Sequence, residues 1–195
     1  MSDDKIKGRF QQTMQEIASQ IEENSNLVNS DQILTLINNI LQIKKEDNRI
    51  FVYGAGRSGF VGRCFAQRLM HLGINSCFIS DAVTPQYTDK DLLILISGSG
   101  ETTSPTAIAK KAKEIKGKIV LFTGNPKSTI GKLSDLNIIV KGKRKDLAIQ
   151  QKSLAPYTSL FDISTLSVLD SIGGVLMNIL GITESDINRR HASIE

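Results

Sequence analysis

The sequence predicts an α/β fold: a three-layer, doubly wound, five-stranded parallel sheet with helices on both faces and two further helices ahead of it. Three observations predict it. Short aliphatic, β-branched runs alternate with helix-period segments from residue 49 onward, the pattern of units that bury a parallel sheet on both sides. Two of those runs break into glycine-rich loops directly before a helical pattern. Two helical patterns precede the first run.

Taken in order, residues 5–23 place Ile6, Phe10, Met14, Ile17 and Ile21 at helical spacing, with Asn24-Ser25-Asn26 as the expected stop. A second helix, capped by Ser30 or Asp31, carries Ile33, Leu34, Ile37, Ile40, Leu41 and Ile43. The two form a helical arm over 1–46 of a single domain spanning 1–195. An amphipathic pair outside the main sheet has to cover either the domain's own flank or another subunit.

The first strand, 49–53, runs into Gly54-Ala55-Gly56-Arg57-Ser58-Gly59 and a helix through Phe65, Leu69 and Leu72 that Gly73 ends. Residues 76–79 form the second strand and 80–89 a loop. Leu92–Ile96 is apolar throughout, as a strand covered on both faces must be. It gives way to Ser97-Gly98-Ser99-Gly100-Glu101-Thr102-Thr103, with Pro105 in the first turn of the next helix. The fourth strand, 118–122, leads to Thr123-Gly124-Asn125-Pro126-Lys127-Ser128, a short helix over 130–133 and a fifth strand over 137–140. Residues 141–158 read as a polar loop long enough to be functional, and a final helical pattern covers 159–180.

A chain of 195 residues with 40% hydrophobic and 23% charged content has the makings of an ordinary globular core. The net charge of +4 comes from scattered basic residues, apart from Lys141-Gly142-Lys143-Arg144-Lys145, and aromatics are only 5%. No nucleic-acid face is expected from that pattern, whereas a small anionic substrate fits it. Cys64 and Cys77 show neither metal spacing nor a disulfide framework, which points to a reducing compartment. The charged opening Met1-Ser2-Asp3-Asp4-Lys5 is unlike a secretory leader, and no apolar stretch reads as fit to cross a bilayer. A cytoplasmic chain with no membrane partner is expected.

The loop after the third strand is built to wrap an anion. Its two glycines let backbone N–H groups converge, and the following helix N-terminus adds partial positive charge. Ser97, Ser99, Thr102 and Thr103 add hydroxyl donors. No lysine follows in the Gly-Lys-Ser/Thr arrangement, so a phosphomonoester suits this cradle better than a triphosphate with magnesium. The first loop matches the dinucleotide fingerprint G-x-G-x-x-G literally, and an NAD-binding domain is the rival reading. Its acid, Asp81, stands 27 residues after Gly54, later than the roughly 20 that fingerprint needs, and the second glycine loop goes unexplained. Two such loops at neighbouring strand ends, one offering Arg57 and Ser58 and the other hydroxyls, describe a phosphosugar pocket.

The pairing of Gly-Ala-Gly-Arg-Ser-Gly with Ser-Gly-Ser-Gly-Glu-Thr resembles the sugar isomerase (SIS) domain, whose fold is flavodoxin-like. The string Arg68-Leu69-Met70-His71-Leu72-Gly73, then Thr84-Pro85, Asn125-Pro126 and Arg190-His191-Ala192, narrows the resemblance to the 6-phospho-3-hexuloisomerase family over about residues 30–195. That resemblance implies interconversion of 3-hexulose 6-phosphate and fructose 6-phosphate through an enediolate in the ribulose monophosphate pathway. It also implies no metal or organic cofactor, and a homotetramer that occupies the N-terminal helices.

By the same resemblance, Ser58, Ser97, Ser99, Thr102 and the amides from Gly98 through Gly100 to Thr103 would hold the phosphate. Arg57 would meet the phosphate or the enediolate oxygen, and Glu101 a sugar hydroxyl. The family reads Pro-Met-Gly-Ser/Thr-x-Phe-Glu at its last long helix, with that Glu as base. This chain reads Pro156-Tyr157-Thr158-Ser159-Leu160-Phe161-Asp162, which makes Asp162 the candidate base on a side chain one methylene shorter. His191, in a tail able to reach a neighbouring subunit, is the second candidate for catalysis, and His71 is a candidate contact. The alternatives are an isomerase of a different phosphosugar and a SIS domain that only binds one as a sensor. Residues 1–45 lack the basic recognition face that a DNA-binding sensor needs.

Overall fold

A computed structural model describes residues 2–142 and 153–193. The elements in order are α1 (Asp3–Leu27), α2 (Ser30–Lys45), β1 (Ile50–Gly54), α3 (Arg57–His71), β2 (Ser76–Phe78) and β3 (Leu92–Ile96). Then come α4 (Thr103–Ile115), β4 (Lys118–Thr123), α5 (Thr129–Leu133), β5 (Leu136–Ile139), α6 (Ser159–Ile179) and α7 (Glu184–Arg190). All strand pairs are parallel, in the order β2-β1-β3-β4-β5. The doubly wound sheet the sequence predicts is present, with the strand order of the flavodoxin type.

Strand periodicity divides the core. Ile50, Val52, Leu92, Ile94, Ile96, Val120 and Phe122 face α2, α3 and α6, while Phe51, Leu93, Leu95, Ile119 and Leu121 face α4 and α5. β3 is buried at all five positions because both layers cover it. Its pairing with β1 on one side and β4 on the other is the point where the chain reverses direction across the sheet.

The N-terminal helices differ from the expected arm. α2 belongs to the core layer, with Leu36 and Ile40 fully buried, and its cap is Asn29, whose side chain accepts from the Asp31 and Gln32 amides. α1 does not stop at Asn24. That side chain is buried and donates to the Lys141 carbonyl (2.8 Å) while accepting the Lys141 amide (2.7 Å), tying α1 to the exit of β5. A tertiary partner thus takes the asparagine that would otherwise compete with the helix backbone. The tail contains α7, whose capping box pairs Thr183 with Asp186.

α6 corrects a second expectation, since by length and composition it is apolar enough to cross a membrane. In this fold half of its most apolar window is buried, and it packs on α3 and α1. Of the basic run, Lys141 pairs with Glu23 (3.2 Å), and Lys143-Arg144-Lys145 fall outside the described residues.

The two thiols sit in different surroundings. Cys64 is exposed, whereas burial pushes the Cys77 thiol up to about 11. Only thiolate attacks a disulfide reagent, so titration of the native protein with such a reagent at pH 8 is expected to label Cys64 quickly and Cys77 only on unfolding. Equal rates would contradict this.

Candidate functional site

In an open parallel sheet, ligands collect beyond the carboxyl ends of the strands where the order reverses. Here that crevice lies between the ends of β1 and β3, and a cavity of about 350 Å³ fills it. From the β1 side it is lined by Arg57 and Ser58, from the β3 side by Ser97, Gly98, Ser99 and Thr102. Those six were all anticipated from the sequence.

The β1 loop is shaped for close packing of strand on helix. A Cβ on Gly54 would lie 2.7 Å from the Ser58 backbone, and one on Gly59 2.7 Å from the Gly54 carbonyl. Those glycines let α3 start directly against its own strand. Asp81, which the dinucleotide reading needs for a ribose, is taken by Arg63 at 2.6 Å.

The β3 loop folds on itself. The Gly100 amide donates to Ser97 Oγ (3.1 Å) and the Glu101 amide to Ser99 Oγ (3.2 Å). Ser97 Oγ lies 3.5 Å from Thr102 Oγ1, and Thr102 makes no side-chain cap on α4. Pro105 has no amide and the Thr106 amide donates to the Thr102 carbonyl (3.0 Å), which leaves the Thr103 and Ser104 amides at the start of α4 beside the hydroxyls, an arrangement that favours an anion.

Three other expected contacts sit just off the wall. Gly100 is buried behind the loop, with φ at +66°, and Thr103 is exposed. The Glu101 carboxylate accepts the Thr129 amide (2.8 Å), a bond that holds its pKa below the ordinary value. Glu101 thus serves the start of α5 in this structure.

Asp162 is 2% exposed, and a buried carboxylate needs partners. It has two: Ser58 Oγ donates to Oδ1 (2.8 Å) and Arg57 Nε to Oδ2 (3.2 Å). The loop after β1 and the first turn of α6 are thereby joined, with Asp162 directly behind the two side chains that line the cavity. Arg57 is more than half exposed, so the arm on Oδ2 is free to swing. Each carboxylate oxygen keeps lone-pair capacity beyond its present bond.

His71 and His191 are brought together elsewhere. Their rings stack at 5.0 Å, and Arg190 fixes α7 there by donating to the His71 carbonyl (2.9 Å). They border a second cavity at the other end of α3. Fourteen residues of helix separate Arg57 from His71, about 21 Å at 1.5 Å per residue. His71 and His191 therefore line a different cavity from the one that Arg57 and Ser58 line.

The sequence reading missed the wall made by Gly124, Tyr157, Thr158 and Phe161. Phe161 packs its ring on Gly98, where a Cβ would stand 3.2 Å away. The signal was available: Gly124 begins a third loop at the same sheet end, and Phe161 adjoins Asp162. Thr158 is the N-cap of α6, its carbonyl accepting the Asp162 amide (2.9 Å), with φ at +66°. A β-branched residue there is a real outlier, costing about 1–3 kcal/mol. Thr158→Gly is expected to raise the thermal midpoint by a few degrees and to weaken phosphosugar binding, because the strained side chain forms part of the wall. A lowered midpoint in a thermal scan would contradict the strain.

Comparison with known proteins adds the family. The SIS domain pattern matches residues 42–167. The chain is 39% identical over 160 residues to a 3-hexulose-6-phosphate isomerase of Methanocaldococcus jannaschii, covering 82% of each. It is 35% identical to the Bacillus subtilis 3-hexulose-6-phosphate isomerase, over 92% of this chain and 96% of that one. A crystal structure from Methanococcus jannaschii, for which a 3-hexulose-6-phosphate isomerase function was inferred, superposes with a TM-score of 0.79 at 36% identity. The match covers 92% of this chain and 97% of that one.

Proposed function

The chain belongs to the SIS domain family and to its 3-hexulose-6-phosphate isomerases, and from that premise we propose how its own residues interconvert 3-hexulose 6-phosphate and fructose 6-phosphate. The observation that carries the reading is the Arg57–Asp162–Ser58 cluster: Arg57 and Ser58 line the cavity together with the hydroxyls of the anion loop, and Asp162 lines a smaller cavity behind them that Arg57 also borders. Phosphate held by the hydroxyls of Ser97, Ser99 and Thr102 and the α4 amides leaves the sugar carbons lying toward that cluster.

Moving the carbonyl from C3 to C2 takes four shifts. A base removes the C2 proton, and the electron pair moves into a C2–C3 double bond as O3 becomes an oxyanion. A proton passes from O2 to O3, and the base returns its proton to C3 as the C2 carbonyl forms. Asp162 is the base in this account. Arg57 swings from Oδ2 toward the enediolate oxygen, whose charge it stabilises, while Ser58 keeps Asp162 oriented. His191 contributes only in a neighbouring copy, across a subunit boundary.

A stripe of Ile6, Phe10 and Met14 on α1, each more than half exposed, supports a homo-oligomer, and the family resemblance a tetramer. We place the chain in the cytoplasm, as one SIS domain with α1 as its arm, acting in the ribulose monophosphate pathway. The test is a coupled assay that follows fructose 6-phosphate formed from 3-hexulose 6-phosphate, beside a second assay that follows ribulose 5-phosphate formed from arabinose 5-phosphate. Turnover confined to the hexulose supports the reading. Preference for the pentose points to a different phosphosugar, and tight binding without turnover of either points to a sensor.

A further inference from the structure

Three successive carbonyls of the anion loop point to donors outside it. The Gly98 carbonyl accepts the Gly124 amide (3.0 Å) and Thr123 Oγ1 (3.3 Å). The Ser99 carbonyl accepts Asn125 Nδ2 (3.3 Å), and the Gly100 carbonyl the Ile130 amide (3.1 Å). All four donors belong to one stretch, from the end of β4 into α5. That stretch is rigid in its own right: the Asn125 amide donates to Thr123 Oγ1 (3.0 Å), the Ser128 amide to the Asn125 carbonyl (3.2 Å), and Ser128 Oγ caps the Gly131 amide (3.1 Å).

Across a trans peptide plane the carbonyl and the amide point in opposite directions. Fixing the Ser99 and Gly100 carbonyls on the α5 side therefore sends the Gly100 and Glu101 amides the other way, where they meet Ser97 Oγ and Ser99 Oγ. A hydroxyl that accepts from an amide has its proton left to give. Hydrogen bonds arranged head to tail also strengthen one another.

We infer that the β4–α5 turn sets the polarity of the anion loop, with Asn125 and Glu101 as positioning residues. Asn125 holds the middle carbonyl, and Glu101, through the Thr129 amide, clamps the loop onto α5. Neither side chain has to touch the substrate. This rests on the proposed phosphosugar site, because the donor relay matters only if an anion occupies the cavity.

The test is calorimetric binding of inorganic phosphate and of fructose 6-phosphate to the full chain, alongside steady-state kinetics. Asn125→Ala is expected to weaken both ligands by the same factor, about fivefold to tenfold, and to raise KM with little change in kcat. Glu101→Ala is expected to behave likewise, and Glu101→Gln, which keeps an acceptor for the Thr129 amide, to recover most of the loss. A folded Asn125→Ala with unchanged phosphate affinity overturns the inference. So does a loss confined to fructose 6-phosphate, which would place the side chain on the sugar. Should Asn125→Ala not fold, the Glu101 pair decides: equal affinities for phosphate in the two variants overturn it. Wild type that binds neither anion overturns the site as well. Phosphate binding without hexulose turnover defeats only the isomerase reading.

Discussion

Asp162→Asn is expected to lower kcat by about 10²–10⁴-fold, the range a positioned general base supplies. The change removes basicity at nearly constant shape. Asparagine still offers Oδ1 to Ser58, and Arg57, more than half exposed, returns to water when its ion pair is lost. The thermal midpoint should therefore move by only a few degrees, and KM should change far less than kcat. Asp162→Glu is an informative companion. It restores the longer acid, but in a buried cluster with Ser58 and Arg57 the extra methylene displaces both partners. A misplacement near 1 Å costs about a hundredfold in rate. Retention of most activity by Asp162→Asn in the coupled assay would move the base to another residue.

The second large effect is expected at Gly100. Its φ of +66° costs an alanine about 1–2 kcal/mol. The added Cβ would also stand 1.9 Å from Ser128 Oγ and 2.5 Å from Ser128 Cβ. Ser128 is buried, and its hydroxyl caps α5, so it has nowhere to rotate without releasing that cap. The loop has to move away from α5 instead, which breaks the Gly100 carbonyl bond to Ile130. Gly100→Ala should lower the thermal midpoint by about 2–8 °C and raise KM for the phosphosugar at least about tenfold. Unchanged KM with an unchanged midpoint would show that the loop does not need this contact.

What could be read from the sequence was whatever periodicity and glycine placement encode. β3 is apolar at every position because helices cover both faces, and that is visible as a run of five. Ser97 and Ser58 could be placed at the crevice because each sits in a glycine-containing loop at the end of a central strand. What could not be read depended on distant partners. Asn24 looked like a helix stop until the Lys141 backbone supplied its bonds, and α2 looked like part of an arm although it closes a core layer. Glu101 read as a sugar contact because nothing local shows that the Thr129 amide lies within its reach. The stacking of His191 on His71 could not be read either, because the two lie 120 positions apart in the sequence and meet only when α7 packs on α3. Thr158 hid its strain, since φ cannot be read from residue type.

The central claim is an enediolate across C2 and C3, made with Asp162 as base. The most direct measurement is NMR of fructose 6-phosphate incubated with the protein in D₂O, following deuterium at C1 and C3. The account predicts deuterium entering at C3 and not at C1, with the Asp162→Asn variant silent at both. Deuterium at C1 would mean an enediol between C1 and C2, the chemistry of an aldose–ketose isomerase, and would contradict it.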